Sequence, residues 1–263
     1  MSKLPKYDLA NIKFENANFT AKNHTLLVST PRSGSTFLCT DIDYLDGGAA
    51  AEYCQPYQII PYLMKKRKQI VKDGELSYEN YGNYLSNYRS GKKEKLFINI
   101  HSHHFHIYQN LKPFLPDLNK VFILYRKNIM KQAISYFIAK ENNQWSSNYK
   151  KIFVKKPNYN YDKIKEKLIQ IYEGSFSNYN RFINYEVENI LLEEYLKTKS
   201  SFAKLNNVRM STNERYKTKE QKSKNKLYYY EQFKSEIELK NDIELLNKIN
   251  NYEELIRGIK FVS

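Results

Sequence analysis

Cysteine is scarce. The 263-residue chain carries two, Cys39 and Cys54. Cys39 follows the apolar pair Phe37-Leu38 and reads as buried, so a disulfide framework is excluded as the organising principle. Long apolar runs are missing as well. None approaches the roughly 20 residues of a membrane span, and residues 1–23 lack the apolar heart of a secretion signal. Both absences point to a soluble, cytoplasmic protein. There is no internal repeat and no long linker, which favours one domain over residues 1–263. Acidic side chains are outnumbered, 28 Asp+Glu against 43 Lys+Arg, for a net charge of +15. An apolar content of 41%, with aromatics at 15%, suits a packed globular core rather than a disordered chain.

Excess positive charge first suggests nucleic acid. Here the lysines are spread through a chain also thick with Asn, Ile and Tyr. The densest runs, MKKRKQ (64–69), GKKEK (91–95) and KTKEQKSKNK (217–226), read as solvated surface. A positive field equally draws in a polyanionic small substrate. Charge alone leaves both readings open.

The strongest apolar runs are HTLLVS (24–29), LFINIH (96–101), VFILY (121–125) and ILLE (190–193). They are short, almost continuously apolar and separated by helix-like stretches, as strands of a parallel sheet covered on both faces should be. Helices are expected over 35–45, 56–72, 78–90, 128–142 and 162–185. Asn128 is placed to cap the fourth, whose apolar face is Ile129, Ala133, Ile134, Phe137 and Ile138. The alternation predicts a three-layer α/β/α fold with a central, mostly parallel sheet. In such sheets ligands sit at the carboxyl ends of the strands, so the informative segments are those following each apolar run.

After the first run comes TPRSGST (30–36), an arginine among small hydroxyl residues and a glycine. Ser33, Gly34, Ser35 and Thr36 let the backbone approach an anion closely, and Arg32 adds a permanent charge in a planar fork. After the third comes RKNIMKQAIS (126–135), with Arg126 at the strand end and Ser135 on the next helix. Two arginines at one sheet edge suggest two anionic groups on one ligand; two unrelated strand-end salt bridges are the plainer alternative. After the second comes a histidine cluster, HSHHFH (101–106). No nearby cysteine or acidic residue completes a metal site there, so His103, His104 and His106 read as pocket lining, packing or solvent-facing.

TPRSGSTFLC, together with the run from Arg126 through Gln132-Ala133-Ile134-Ser135-Tyr136 to Trp145, resembles the sulfotransferases that use 3'-phosphoadenosine 5'-phosphosulfate. The resemblance is to the bacterial carbohydrate branch, the trehalose 2-sulfotransferase-like enzymes. It covers roughly the first 150 residues and fades beyond them. It implies a P-loop-like phosphosulfate-binding loop at Arg32, Ser33, Gly34, Ser35 and Thr36, and a 3'-phosphate clamp at Arg126 and Ser135. The nucleotide product would be adenosine 3',5'-bisphosphate, the acceptor a small molecule, glycan or glycolipid, and no metal is required. A kinase-type loop would carry a lysine before its last hydroxyl; this one does not, which leaves a nucleotide-kinase-like enzyme as the alternative, with a basic nucleic-acid-binding protein behind it.

Attack by an acceptor hydroxyl calls for a general base. The resemblance implies Glu52, in AAAEYCQP, as that base, with His101 its rival from more distant sulfotransferases. Those carry a lysine two residues before the histidine, where this chain has Asn99, so Arg32 is the candidate for steadying charge on the bridging oxygen. Arg209 is expected to close over the nucleotide, as a late-loop basic residue does in relatives. Lys131 could reach the 3'-phosphate or stay in solvent, and Trp145 lies near the adenosine or in the core. The 24 tyrosines would suit stacking on sugar rings or an ordinary amphipathic surface. The acceptor pocket is expected from 53–95 and 146–225.

Overall fold

The computed structural model describes residues 15, 17–143, 145, 157–198, 201–211 and 224–262. In chain order the elements are β1 (Asn23–Ser29), α1 (Ser35–Thr40), α2 (Tyr44–Gly47), α3 (Ile59–Lys66), β2 (Val71–Lys72), β3 (Glu75–Leu76), α4 (Tyr78–Tyr88), β4 (Lys95–His101) and α5 (Phe105–Leu111). They continue with β5 (Asp117–Tyr125), α6 (Ile129–Glu141), α7 (Tyr161–Arg181), β6 (Val187–Leu191), α8 (Leu192–Thr198), α9 (Phe202–Leu205), α10 (Lys224–Leu239) and α11 (Ile243–Gly258).

Four strands form a parallel sheet in the order β4-β1-β5-β6. Successive side chains of β1 point to opposite faces. Leu26 and Val28 join one apolar cluster with Leu63, Leu85 and Leu111. Leu27 joins the other with Leu38, Phe122 and Phe202. Both faces are therefore covered by helices, and the fold is the three-layer α/β/α arrangement. Each sheet edge receives one further bridge, Ala51 beside Ile98 and Phe261 beside Asn189, which leaves less edge open to pairing. A third cluster joins α6, α7, α10 and α11 through Ile134, Phe137, Leu168, Phe233 and Ile249. No helix among the described residues is long and apolar enough to cross a membrane.

Several expected boundaries shift. The helix expected over 35–45 breaks after Thr40 and restarts at Tyr44, because the Asp43 carboxylate accepts from the Leu45 and Asp46 amides at 3.1 and 3.2 Å. The helix expected over 56–72 ends at Lys66, and Asp73-Gly74, with φ of 52° and 84°, turns the β2–β3 hairpin. The fourth strand is Val187–Leu191, so Glu193 belongs to the first turn of α8. The Asn128 cap is present, its side chain accepting from the Lys131 amide at 2.8 Å.

From β1 the chain crosses to β4 on one side, then to β5 on the other. The crevice between the carboxyl ends of β1 and β5 is thus the topological switch point, where open α/β sheets bind ligands.

Candidate functional site

The loop leaving β1 forms one wall of that crevice. Arg32 and Gly34 both have left-handed backbones, φ 65° and 102°. A β-carbon on Gly34 would also lie 2.6 Å from Leu192 Cδ2, so the backbone calls for glycine and Leu192 would have to shift to admit anything larger. Because α1 is only six residues long, little helix dipole is available. The binding capacity lies in the amides of Ser35 and Thr36, which no preceding helical carbonyl can satisfy, and in the arginine.

The other wall follows β5. Buried Gln132 on α6 donates from Nε2 to Thr30 Oγ1 (2.9 Å) and to the Pro31 carbonyl (2.8 Å), which pins the loop to the helix. Arg32 Nε donates to Ser135 Oγ at 3.2 Å, and Nη1 donates to the Trp145 carbonyl. Arg32 and Ser135, expected at opposite phosphates, therefore touch. Burial, then the positive charge of Arg126, lowers the Arg32 pKa to about 10. Two guanidiniums thus share one partly desolvated edge, an arrangement that an anion would stabilise.

Arg126 is not bare. Its Nε lies 2.7 Å from Glu193 Oε1, and the Lys127 amide donates to Glu193 Oε2 at 2.9 Å. The Tyr252 hydroxyl donates to the Arg126 carbonyl at 2.7 Å. Sequence reading missed Glu193 and Tyr252 because their partner lies far away in the chain.

At the end of β4, Asn99 Nδ2 donates to Ser35 Oγ at 3.2 Å and joins the strand to the loop. Ala51 pairs outside β4, which sets the next residue, Glu52, beside the strand end: Glu52 Oε1 stands 3.7 Å from His101 Nε2. The two rival bases are neighbours. Burial raises Glu52 to about 7. Burial, then the charge of Arg32, lowers His101 to about 4. His101 is therefore neutral near pH 7, with Arg32 close enough to be felt.

Other expected residues lie further out. Arg209 has a 65% exposed side chain 3.7 Å from Asp46, and its amide donates to the same carboxylate at 2.6 Å. Lys131 Nζ sits over the Tyr230 ring at 5.3 Å. The Trp145 ring packs 5.8 Å from that of Tyr136. Both cysteines are buried, and they are not joined in a disulfide. No group of three or more His, Cys, Asp or Glu among the described residues is arranged to hold a metal ion. Of the stretches expected to build the acceptor pocket, 146–156, 199–200 and 212–223 lie outside the described residues, as does most of the basic run 217–226. No protein-family model matches the chain, and a search of curated proteins finds no match.

Proposed function

We propose that this chain is a cytoplasmic sulfotransferase that moves a sulfuryl group from 3'-phosphoadenosine 5'-phosphosulfate to a hydroxyl of a carbohydrate or glycolipid acceptor. The observation that carries the reading is the meeting of Arg32, Ser135 and Arg126 at the switch-point crevice, with the Glu52–His101 pair at the adjoining strand end. The residues fit the nucleotide: two guanidiniums repel across the crevice, and the buried Ser33 hydroxyl has no hydrogen-bond partner among the described residues.

In this reading Arg32 and the Ser33–Thr36 loop hold the phosphosulfate, while Arg126 and Ser135 address the 3'-phosphate. The donor supplies a sulfuryl group activated by its bond to phosphate. Arg32, fixed by Ser135, steadies negative charge where that bond breaks. Glu52 takes the acceptor proton, and His101 orients the carboxylate. Glu193 competes with the 3'-phosphate for Arg126, and Arg209 would have to leave Asp46 to reach the nucleotide.

Calorimetry with chelator present is the direct test. Adenosine 3',5'-bisphosphate is expected to bind at least about tenfold more tightly than adenosine 5'-monophosphate, since charge-assisted contacts to the extra phosphate are the stronger class of hydrogen bond. Arg126→Ala should lose most of that preference. Equal affinity for the two nucleotides, or binding that requires magnesium, would remove the assignment.

A further inference from the structure

Arg126, at the mouth of the switch-point crevice, is held by a carboxylate. Glu193 Oε1 lies 2.7 Å from Arg126 Nε, and Oε2 accepts from the Lys127 amide at 2.9 Å. One carboxylate thus takes a guanidinium N–H and the backbone N–H beside it, the kind of donor pair that a phosphate oxygen would take at a strand end. The Arg126 and Glu193 side chains are 32% and 29% exposed, so both are open to a ligand. Arg126 Nη1 and Nη2 make no hydrogen bond among the described residues.

The place of Glu193 is built into the fold. β6 ends at Leu191 and α8 begins at Leu192, with no loop between them. Leu192 is buried against Gly34, and the buried Tyr195 donates from its hydroxyl to Asp41 Oδ2 at 3.0 Å. The start of α8 is therefore anchored on both ends of α1, and the Glu193 side chain is the part left to swing. Charge supplies the reason for an acid here. Arg32 and Arg126 are near enough to repel, and Glu193 offsets one of the two.

We propose that Glu193 is the internal counter-ion of the Arg126 subsite, a resident anion against which every incoming anion must compete, so that only a dianionic group occupies the subsite. The inference rests on the sulfotransferase reading for the identity of the ligand, and adds the residue that sets its charge threshold. An anion reaching Arg126 meets a carboxylate on the same guanidinium, and must displace it or bear its repulsion. A monoanion, such as a phosphodiester, offers Arg126 no more charge than Glu193 already does. A phosphate monoester offers nearly two charges and three acceptor oxygens. The carboxylate lowers the affinity of both classes alike, and leaves the dianion alone strong enough to stay.

The test is calorimetry on the full chain at pH 8, where a phosphate monoester carries two charges. The probes are adenosine 3',5'-bisphosphate, its 3'-methyl ester, adenosine 5'-monophosphate and inorganic phosphate. Glu193→Gln keeps the shape and removes the charge. It should tighten the bisphosphate and inorganic phosphate roughly tenfold, between the effects of an exposed and a buried ion pair, and leave adenosine 5'-monophosphate unchanged. The 3'-methyl ester should bind wild type no better than adenosine 5'-monophosphate, and bind Glu193→Gln better. Glu193→Asp, which draws the carboxylate back by one methylene, should give a smaller gain in the same direction. In an Arg126→Ala background Glu193→Gln should change nothing. Without ligand, Glu193→Gln should melt about 2–4 °C early; a merely structural role would share that loss but not the gain in affinity. Weaker binding of the bisphosphate by Glu193→Gln would show that the carboxylate positions Arg126 instead. That result, unchanged binding, a gain that persists with Arg126→Ala, or a methyl ester bound by wild type like the bisphosphate would each overturn the proposal. If Glu193→Gln tightens inorganic phosphate while the bisphosphate binds neither protein, the counter-ion stands and the sulfotransferase reading falls. If wild type binds the bisphosphate and Glu193→Gln leaves its affinity unchanged, the counter-ion alone falls.

Discussion

Glu52 and His101 stand 3.7 Å apart, close enough for an ion pair, yet burial opposes charge on both. With the carboxyl near 7 and the imidazole near 4, the pair is neutral between those values, and only Glu52 changes state as pH passes about 7. A carboxylate poised near the working pH is what a general base requires. The proposed sulfuryl transfer should therefore show kcat/KM rising with pH through about 7. Glu52→Gln keeps the shape and removes the proton acceptor, so it should depress turnover by about 10²- to 10⁴-fold and abolish that rising limb. Affinity for adenosine 3',5'-bisphosphate should hardly move, because the clamp lies across the crevice. His101→Asn should do less damage. Steady-state rates from pH 5 to 9 check this, and a Glu52→Gln enzyme that retains both turnover and the limb would transfer the role to His101.

Gly34 joins two elements whose contact shapes the cradle: α1, which it precedes, and α8, whose Leu192 fills the space a side chain would take. Gly34→Ala should cost about 1–3 kcal/mol in denaturant unfolding, from the left-handed backbone together with the 2.6 Å approach to Leu192. It should also weaken nucleotide binding. Adding Leu192→Ala relieves the contact but not the φ of 102°, so it should restore nucleotide affinity only in part. An alanine variant that unfolds and binds like wild type would show that the loop tolerates another backbone.

What was legible in the sequence follows the range of the interaction. The four apolar runs and the Asn128 cap are local signals, and each appears close to its expected place. Asp73-Gly74 was an equally local turn signal inside a stretch expected to be helical. In α10 and α11, the buried positions Tyr229, Phe233 and Ile237, then Leu245, Ile249 and Tyr252, follow helical spacing, so that period was there to be read as well. By contrast, the Glu52–His101 pair depends on Ala51 bridging to Ile98, and the Arg126–Glu193 pair on β5 lying beside β6. Neither has a local signature, because each is created by strand order.

Across the whole molecule, buried imidazoles make stability depend on pH. His24 lies at the far end of the sheet from His101, with Nδ1 donating to the Pro116 carbonyl at 2.6 Å and Nε2 accepting from the Tyr108 hydroxyl at 2.8 Å. Burial lowers its pKa to about 4, and burial likewise lowers His101 and His103 to about 4 and His104 to about 3. In the unfolded chain these groups titrate near 6.5. As pH falls below about 6.5 the unfolded chain takes up protons that the folded chain refuses, so stability falls until the folded values are reached. Glu52 works in the opposite direction: folded it holds its proton up to about 7, unfolded only to about 4.5. Acidification through that window therefore strengthens the fold by one proton while the histidines weaken it, the exposed His103 least. With His103 set aside, three histidines against one glutamate leave two uncompensated protons, which correspond to at most about 3 kcal/mol per pH unit, a large share of the roughly 5–15 kcal/mol that typically holds a domain. The melting temperature should thus drop between pH 6.5 and 5. Repulsion from a net charge of +15 pushes the same way, so the decisive measurement is a difference between variants. Glu52→Gln removes the opposing proton and should melt progressively earlier than wild type as pH falls from 7 to 5. His24→Gln removes one destabilising proton and should flatten the decline. Parallel melting curves for all three proteins across that range would show that these buried groups do not govern the response.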